Sequence, residues 1–133
     1  ADARRLLAPG ASLLLRVPVC SSQAFREYGV DWVQLDAPRH FFLHSEQSLR
    51  VLAQRAGFEV TRVAYDSTAF QFWGSEQYRR GVYLQSPTSY AVDAAASQFS
   101  AADIAALEAK AREANARGDG DQACFVLRAS ASQ

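Results

Sequence analysis

Three apolar segments with the composition of β-strands divide the chain. Residues 12–19 (SLLLRVPV), 58–66 (FEVTRVAYD) and 123–129 (ACFVLRA) are rich in aliphatic, β-branched or aromatic residues, which favours extended structure. In the first segment, Leu14 adds an apolar side chain opposite four alternating ones, so we expect a strand covered on both faces. The alternating residues are Leu13, Leu15, Val17 and Val19.

Capping signals and apolar stripes predict two longer helices. Ser45 begins a helix that ends at Gly57. Ser100, paired with Asp103 three residues later, begins another that ends at Gly118. Each carries an apolar stripe with the spacing of one helix face. The stripes are Leu49, Leu52, Ala53 and Ala56 in the first helix, and Ile104, Leu107, Ala111 and Ala114 in the second.

The remaining segments are less regular. Residues 2–8 (DARRLLA) look like the last turns of a helix that a proline and a glycine then break, and residues 21–28 predict a short helix. Residues 32–45 (WVQLDAPRHFFLHS) are expected to be extended, because their proline disfavours helix at the residue before it. Residues 67–92 are expected to be irregular, with a short helix beginning at Ser75.

Length and composition fit one globular domain and exclude several classes of partner. The 133 residues are 49% hydrophobic and 21% charged. Fourteen basic residues balance fourteen acidic ones, so nucleic acid and anionic membrane surfaces are not expected partners. No apolar run approaches the roughly 20 residues needed to span a bilayer. Cys20 and Cys124 are expected to be buried thiols, which favours the cytoplasm as the compartment.

Two motifs in the chain suggest sites that their context rules out. Residues 118–123 (GDGDQA) match the dinucleotide pattern G-x-G-x-x-A, which requires a preceding strand and a following helix. Here the predicted order is reversed, so we interpret the segment as a polar turn. His40 and His44 have the spacing of a zinc-binding helix. In an extended segment, however, they would lie about 13 Å apart, and no metal site is expected.

Three runs of sequence carry a family resemblance: RRLLAPGASLLLRVPV, WVQLDAPRHFFLHSEQSLRVLAQRAGFEV and GSEQYRRGVYL. Together with the order of elements, they resemble the C-terminal half of class I S-adenosylmethionine-dependent methyltransferases. The first run is similar to the family's L-x-P-G-G-x-L approach to its fifth strand, although Ala11 replaces the second glycine. The second and third are similar to runs found in bacterial members. The likeness covers about residues 3–84.

The resemblance implies an α/β fold, the C-terminal part of a Rossmann-like methyltransferase sheet. Three mixed strands, the last antiparallel and central, would carry flanking helices, with Cys20 and Cys124 on adjacent strands. Residues 1–133 would form the substrate-side portion of the domain. The cofactor-binding first half, with its glycine-rich strand–loop–helix unit, has no counterpart in this sequence.

The resemblance also implies where the chemistry takes place. In the family, the segment after the fifth strand lies beside the transferred methyl group, at the edge where open α/β sheets bind ligands. His40 would act as general base. Arg39 would hold an anionic part of the substrate, Asp36 would orient either neighbour, and Tyr28 and Trp32 would form an apolar wall. The alternative is a structural turn, with Arg39 paired to Asp36 and His40 bound to a backbone carbonyl.

The function implied is methyl transfer to a small-molecule or sugar/glycan acceptor by the complete protein. S-adenosylmethionine would be the cofactor, and this chain alone is not expected to bind it. The alternative is a non-catalytic binding or scaffold domain that retains the half-sheet. We also expect a homodimer formed through residues 12–19, or by exchange of the C-terminal strand, because an unpaired strand edge favours pairing with a second chain.

Overall fold

The three predicted strands form one sheet, in which the last strand is central. The structure, a computed structural model, describes residues 2–130. The strands are β1 (Ser12–Pro18), β2 (Phe58–Tyr65) and β3 (Gln122–Ala129). Their order is β1-β3-β2, and β3 is antiparallel to both neighbours. The predicted strand order and direction are therefore confirmed, with strand ends within one residue of those expected.

Within residues 2–130, five α-helices and two short 3-10 helices accompany the sheet. The α-helices are α1 (Asp2–Leu6), α2 (Gln23–Tyr28), α3 (Glu46–Arg55), α4 (Phe70–Arg79) and α5 (Ala101–Ala116), and the 3-10 helices are Gly29–Asp31 and Val33–Leu35. Ser45 and Ser100 cap α3 and α5, each in a reciprocal capping box. Both predicted caps are confirmed. No helix within residues 2–130 is long and apolar enough to cross a membrane.

The sheet is buried on one face, where it packs against α3. The three strands and α3 together are called the sheet layer below. Its fully buried core consists of Val19, Leu49, Ala53, Phe58, Ala123, Phe125 and Leu127. On the other face Leu14 is 65% exposed, and Arg16 forms an ion pair with Asp66 at 2.7 Å. The prediction that both faces of β1 are covered is therefore wrong, because its second face is open and carries charge.

A second core lies beyond the carboxyl ends of β1 and β2. Residues 20–35 and 66–121, which include α2, α4 and α5, form this region, called the cap below. Its buried apolar cluster consists of Ala24, Tyr28, Trp32, Phe72 and Ala111. The indole Nε1 of Trp32 donates to Asp121, just before β3, at 3.0 Å. This bond holds Trp32 against the residue that leads directly into the central strand of the sheet.

Two segments differ from the structure predicted for them. Residues 32–45 are not extended, because they contain a 3-10 helix and a turn in which Asp36 adopts a left-handed conformation (φ 39°) before a cis Ala37–Pro38 bond. Helix α4 begins at Phe70, five residues before the predicted start. Its buried side is largely polar, so no apolar stripe marks it: Gln71, Phe72, Gly74, Ser75 and Gln77.

The structure also bears on the exposure of two aromatic side chains and on the expected placement of the two cysteines. Phe41 and Phe42 are 86% and 81% exposed, although both rings are large and apolar. Cys124 lies in β3 opposite Arg16, whereas Cys20 lies two residues beyond the end of β1. The two cysteines are therefore not on adjacent strands, and both are free thiols.

Candidate functional site

The segment that carries His40 returns along the open edge of β1. At the end of this strand, the Val19 N–H donates to the Asp121 carbonyl at 2.8 Å on the β3 side. The next N–H, of Cys20, donates to the His44 carbonyl at 2.9 Å on the opposite side, within a parallel bridge between Val19 and His44. The segment therefore lies at the carboxyl end of β1, beside the edge that β3 leaves free.

The imidazole ring of His40 is oriented by a hydrogen bond to a backbone carbonyl. Its Nδ1 lies 3.0 Å from the Gln34 carbonyl oxygen, and the side chain is half-buried. Because a carbonyl oxygen only accepts hydrogen bonds, Nδ1 must carry the proton. In the neutral imidazole, Nε2 then keeps its lone pair. The geometry thus gives His40 one defined proton acceptor, Nε2, as a general base requires.

Asp36 and Arg39 lie in the same turn as His40 and form an ion pair with each other. Arg39 Nε is 3.1 Å from Asp36 Oδ2, and the arginine side chain is 79% exposed. The Asp36 carbonyl also accepts the Arg39 N–H at 2.8 Å, which closes the turn. An exposed ion pair of this kind contributes only about 0–1 kcal/mol. Arg39 can therefore exchange its partner for an anionic ligand at little cost.

Tyr28 and Trp32 lie in the buried core of the cap. Trp32 has no exposed surface and meets Phe25 edge-to-face, with ring centroids 5.3 Å apart. Tyr28 is 8% exposed, with the Arg79 guanidinium 4.4 Å from its ring centroid. Burial and the neighbouring Glu27 charge raise the pKa of Tyr28, so it remains a protonated phenol at neutral pH. In this conformation Trp32 supports the site from beneath, and contact between Trp32 and substrate stays a prediction that requires the cap to open.

The second histidine has a local role. His44 Nδ1 lies 3.3 Å from the Ser48 hydroxyl, in the first turn of α3. Across the described part of the chain, no group of three or more His, Cys, Asp or Glu side chains could hold a metal ion.

A buried polar network, which the sequence did not indicate, links the cap to the sheet. Asp121 is 1% exposed and accepts the Trp32 indole N–H, while its backbone N–H donates to Gln71 Oε1 at 3.3 Å. Ser67 accepts the Gln122 N–H at 2.8 Å, and its own N–H donates to the Asn115 side chain at 3.1 Å. Desolvation raises the pKa of Asp121. No pattern in GDGDQA distinguishes this buried aspartate from its neighbour Asp119, so it was missed.

The strand-to-helix connections test whether the chain could hold the implied cofactor. Residues 19–22 after β1 and residues 66–69 after β2 contain no glycine. Glycine in the connection after the first strand of a nucleotide-binding sheet lets the backbone approach a ligand without hindrance from a Cβ atom. The described residues therefore do not fit the glycine-rich cradle for S-adenosylmethionine that the resemblance implies elsewhere in the domain.

Comparison with known protein families gives a match over the first part of the chain. A family model described as a methyltransferase domain matches residues 1–63, just under half of the chain. The matched part contains β1, α2, α3 and most of β2, and with them Asp36, Arg39 and His40. No curated protein and no solved structure gives a match.

Proposed function

We propose that this chain is the C-terminal, acceptor-side portion of an S-adenosylmethionine-dependent methyltransferase. The acceptor class we propose is a small molecule or a sugar/glycan. The observation that carries the proposal is the sheet order β1-β3-β2, with an antiparallel last strand in the centre. That order is the one implied by the family resemblance, and the match over residues 1–63 supports it. The two free thiols fit the reducing cytoplasm that we propose as the compartment.

In this proposal, His40 removes a proton from the acceptor. A substrate hydroxyl or amine donates to Nε2, while Nδ1–H remains bound to the Gln34 carbonyl and orients the ring. When the imidazole becomes protonated, that same carbonyl accepts from a cationic donor, which strengthens the bond. Arg39 leaves Asp36 to hold an anionic group of the acceptor. S-adenosylmethionine would supply the methyl group, and the described residues of this chain are proposed to contribute the acceptor side only.

The open edge of β1 supports a contact with further protein. Val19 and Asp121 form a hydrogen-bonded pair, and pairing alternates along antiparallel strands. The N–H and C=O groups of Leu14 and Arg16 therefore face away from β3. Phe41 and Phe42, more than 80% exposed, lie in the segment held beside this edge. We propose that the cofactor-binding half of the sheet pairs with this edge in the complete protein.

The same edge leads us to propose a homodimer for the chain by itself. A two-fold register that places Leu14 opposite the partner's Arg16 would satisfy the outward N–H groups of both residues. Leu14→Pro removes one outward N–H and leaves the inner pairs with β3 in place, whereas Leu14→Ala removes only the exposed side chain. We expect sedimentation to give a dimer for the parent chain and for Leu14→Ala, and a monomer for Leu14→Pro.

Two results would change the dimer proposal. A parent chain that sediments as a 14.6 kDa monomer would contradict it. A dimer that survives Leu14→Pro would exclude edge pairing and favour the exchange of β3 between chains.

His40→Ala in the complete protein tests the catalytic proposal. Loss of a general base should lower the methylation rate about 10²–10⁴-fold, with the affinity for S-adenosylmethionine unchanged. His44→Ala is the matched control, since the Nδ1 of His44 contacts the Ser48 hydroxyl in the first turn of α3, and we expect it to retain most activity. Full activity of His40→Ala would refute the assignment of His40 as base.

One observation favours the alternative, a non-catalytic scaffold domain. Both contacts of the structural alternative are present, Arg39 with Asp36 and His40 with the Gln34 carbonyl. If the segment is only structural, His40→Ala should destabilise the fold and Arg39→Ala should leave acceptor affinity unchanged. The methyltransferase proposal predicts the opposite, a weaker acceptor affinity for Arg39→Ala in a normally stable protein.

A further inference from the structure

A cleft at the carboxyl end of β2 lies apart from the His40 segment. It begins at Ser67 and Thr68, immediately after the strand, and its other wall is α5. Because β3 separates β1 from β2, the cleft and the His40 segment flank opposite strands of the sheet. The open volume of about 360 Å³ lies at the lower end of the range of small-molecule sites, roughly 300–1,000 Å³.

Aromatic rings that contact one another form one wall. The centroids of Phe70 and Trp73 are 4.9 Å apart, and those of Trp73 and Tyr90 are 5.2 Å apart, with interplanar angles of 63° and 59°. These distances leave no gap in which a cation could sit between two rings, so the wall is not a cage for a methylated ammonium group. The tilted rings present a faceted apolar surface, which matches a puckered ring better than a flat one.

The opposite wall carries two charged side chains without partners. Glu108 and Arg112 line the cleft one turn apart on α5. Neither forms a hydrogen bond or an ion pair with any residue in 2–130. The other charged residues of α5 do have partners: Asp103 with Ser100, Lys110 with Glu27, and Glu113 with Arg117. Glu108 and Arg112 are therefore available to a ligand.

The chemistry of the two walls selects a ligand class. A carboxylate only accepts hydrogen bonds and a guanidinium only donates them, so together they suit hydroxyl groups, which do both. The pair has no net charge, so a ligand with a net charge would leave one member unmatched. The Trp73 indole N–H forms no hydrogen bond with described residues and is not buried, which adds a further donor beside the apolar wall. We infer that this aromatic cleft binds a neutral, hydroxylated ring: a pyranose sugar.

The inference concerns the chain itself and holds whether or not methyl transfer is its function. Methyl β-D-glucopyranoside and N-acetylglucosamine are the probes. Amide and indole N–H spectra provide an internal control, because Trp73 lines the cleft while Trp32 is buried and bonded to Asp121. We expect either sugar to shift the Trp73 indole signal saturably and to leave that of Trp32 unmoved. The dissociation constant should be on the order of 1 mM, as expected of a ligand of this size.

Variants of the polar wall separate cleft binding from non-specific effects. Glu108→Gln and Arg112→Gln alter exposed side chains, so both should fold, and each should weaken binding about tenfold. Glu113→Gln, on the same helix but outside the cleft, should bind as the parent chain does. Three results would overturn the inference: no saturable shift with either sugar, equal affinity in all variants, or binding of glycine betaine in place of the sugars.

Discussion

The core beneath α3 contains only apolar side chains, whereas buried polar side chains surround the core of the cap. In the described part of the chain, the buried polar or charged residues all lie in the cap or where it meets β3: Ser22, Ser67, Gln71, Ser75, Gln77, Ser89 and Asp121. Every buried side-chain polar atom among residues 2–130 has a hydrogen-bond partner. The sheet layer therefore depends on burial of apolar area, and the cap also depends on hydrogen bonds that must all be made.

This difference has a functional consequence. Apolar packing tolerates exchange of one aliphatic residue for another, whereas a buried polar network fixes specific partners in specific positions. The cap holds the aromatic cleft and, through Trp32, the base of the His40 segment. A ligand site benefits from such fixed positions, and the sheet layer serves as the support on which the cap is built.

Loss of a ring from the sheet layer should produce the largest effect on stability. Phe125 is fully buried at the centre of β3, between Leu15 and Val63 of the neighbouring strands. Phe125→Ala should lower the free energy of unfolding by about 3–5 kcal/mol. Val126→Ala, on the open face, should cost about 1 kcal/mol or less. Denaturant unfolding measures both; equal losses would contradict a core confined to one face.

A substitution among the buried polar side chains of the cap should lower the free energy of unfolding by less than Phe125→Ala does, and by a different mechanism. Gln77 Nε2 donates to Ser89 Oγ at 3.0 Å, and Gln77 Oε1 accepts the Tyr90 N–H at 2.7 Å. Gln77→Ala leaves these groups unsatisfied and should cost about 1–3 kcal/mol. The exposed Gln47→Ala on α3 is the control. Gln77→Leu, which restores volume without hydrogen bonds, should not recover stability; recovery would mean that the cap is held by packing alone.

The two regions should respond to pH with opposite sign. Hydrogen bonds from Tyr65 and Arg50 lower the pKa of Glu46 in the sheet layer below its ordinary 4.5. The ionised Glu46 side chain therefore adds to the free energy of unfolding above about pH 4.5, and this contribution is lost as the pH falls through the folded-state pKa. Burial raises the pKa of Asp121 in the cap above 3.8. The protonated Asp121 side chain therefore adds to the free energy of unfolding below about pH 3.8, and this contribution is lost as the pH rises through the folded-state pKa.

Unfolding experiments from about pH 3 to 8 on two variants separate these contributions. Glu46→Gln should reduce the loss of stability in acid. Asp121→Asn keeps an acceptor for the Trp32 indole N–H. It should remove the decline in the free energy of unfolding that Asp121 causes as the pH rises above about 3.8. This is the smallest of the expected stability effects. A steeper decline in Asp121→Asn would contradict the raised pKa of Asp121.

The same contrast explains how much the sequence could predict. The strands and the caps at Ser45 and Ser100 have local signals, and the structure confirms them. Helix α4 was predicted to start too late, because its buried glutamines and serines look like a surface. The position of the His40 segment followed from its place after β1, but its 3-10 turn depends on contacts with Gln34 and Asp36.

The aromatic cleft was out of reach for a related reason. Trp73 lies in α4, and the end of that helix and a loop with no periodic pattern separate it from Tyr90, so only the folded cap brings the two rings together. The open face of β1 could not be foreseen either, since an apolar run does not reveal whether a second layer covers it.

Titration with S-adenosylmethionine tests most directly the claim that this chain is the acceptor side of a methyltransferase. We predict no saturable heat in calorimetry of residues 1–133 at about 1 mM cofactor, a concentration that would detect even weak binding, because the connections after β1 and β2 lack glycine. A longer protein in which a glycine-rich strand–loop–helix unit accompanies these residues should bind. Saturable binding to residues 1–133 alone would contradict the account, and so would an extended protein that fails to bind.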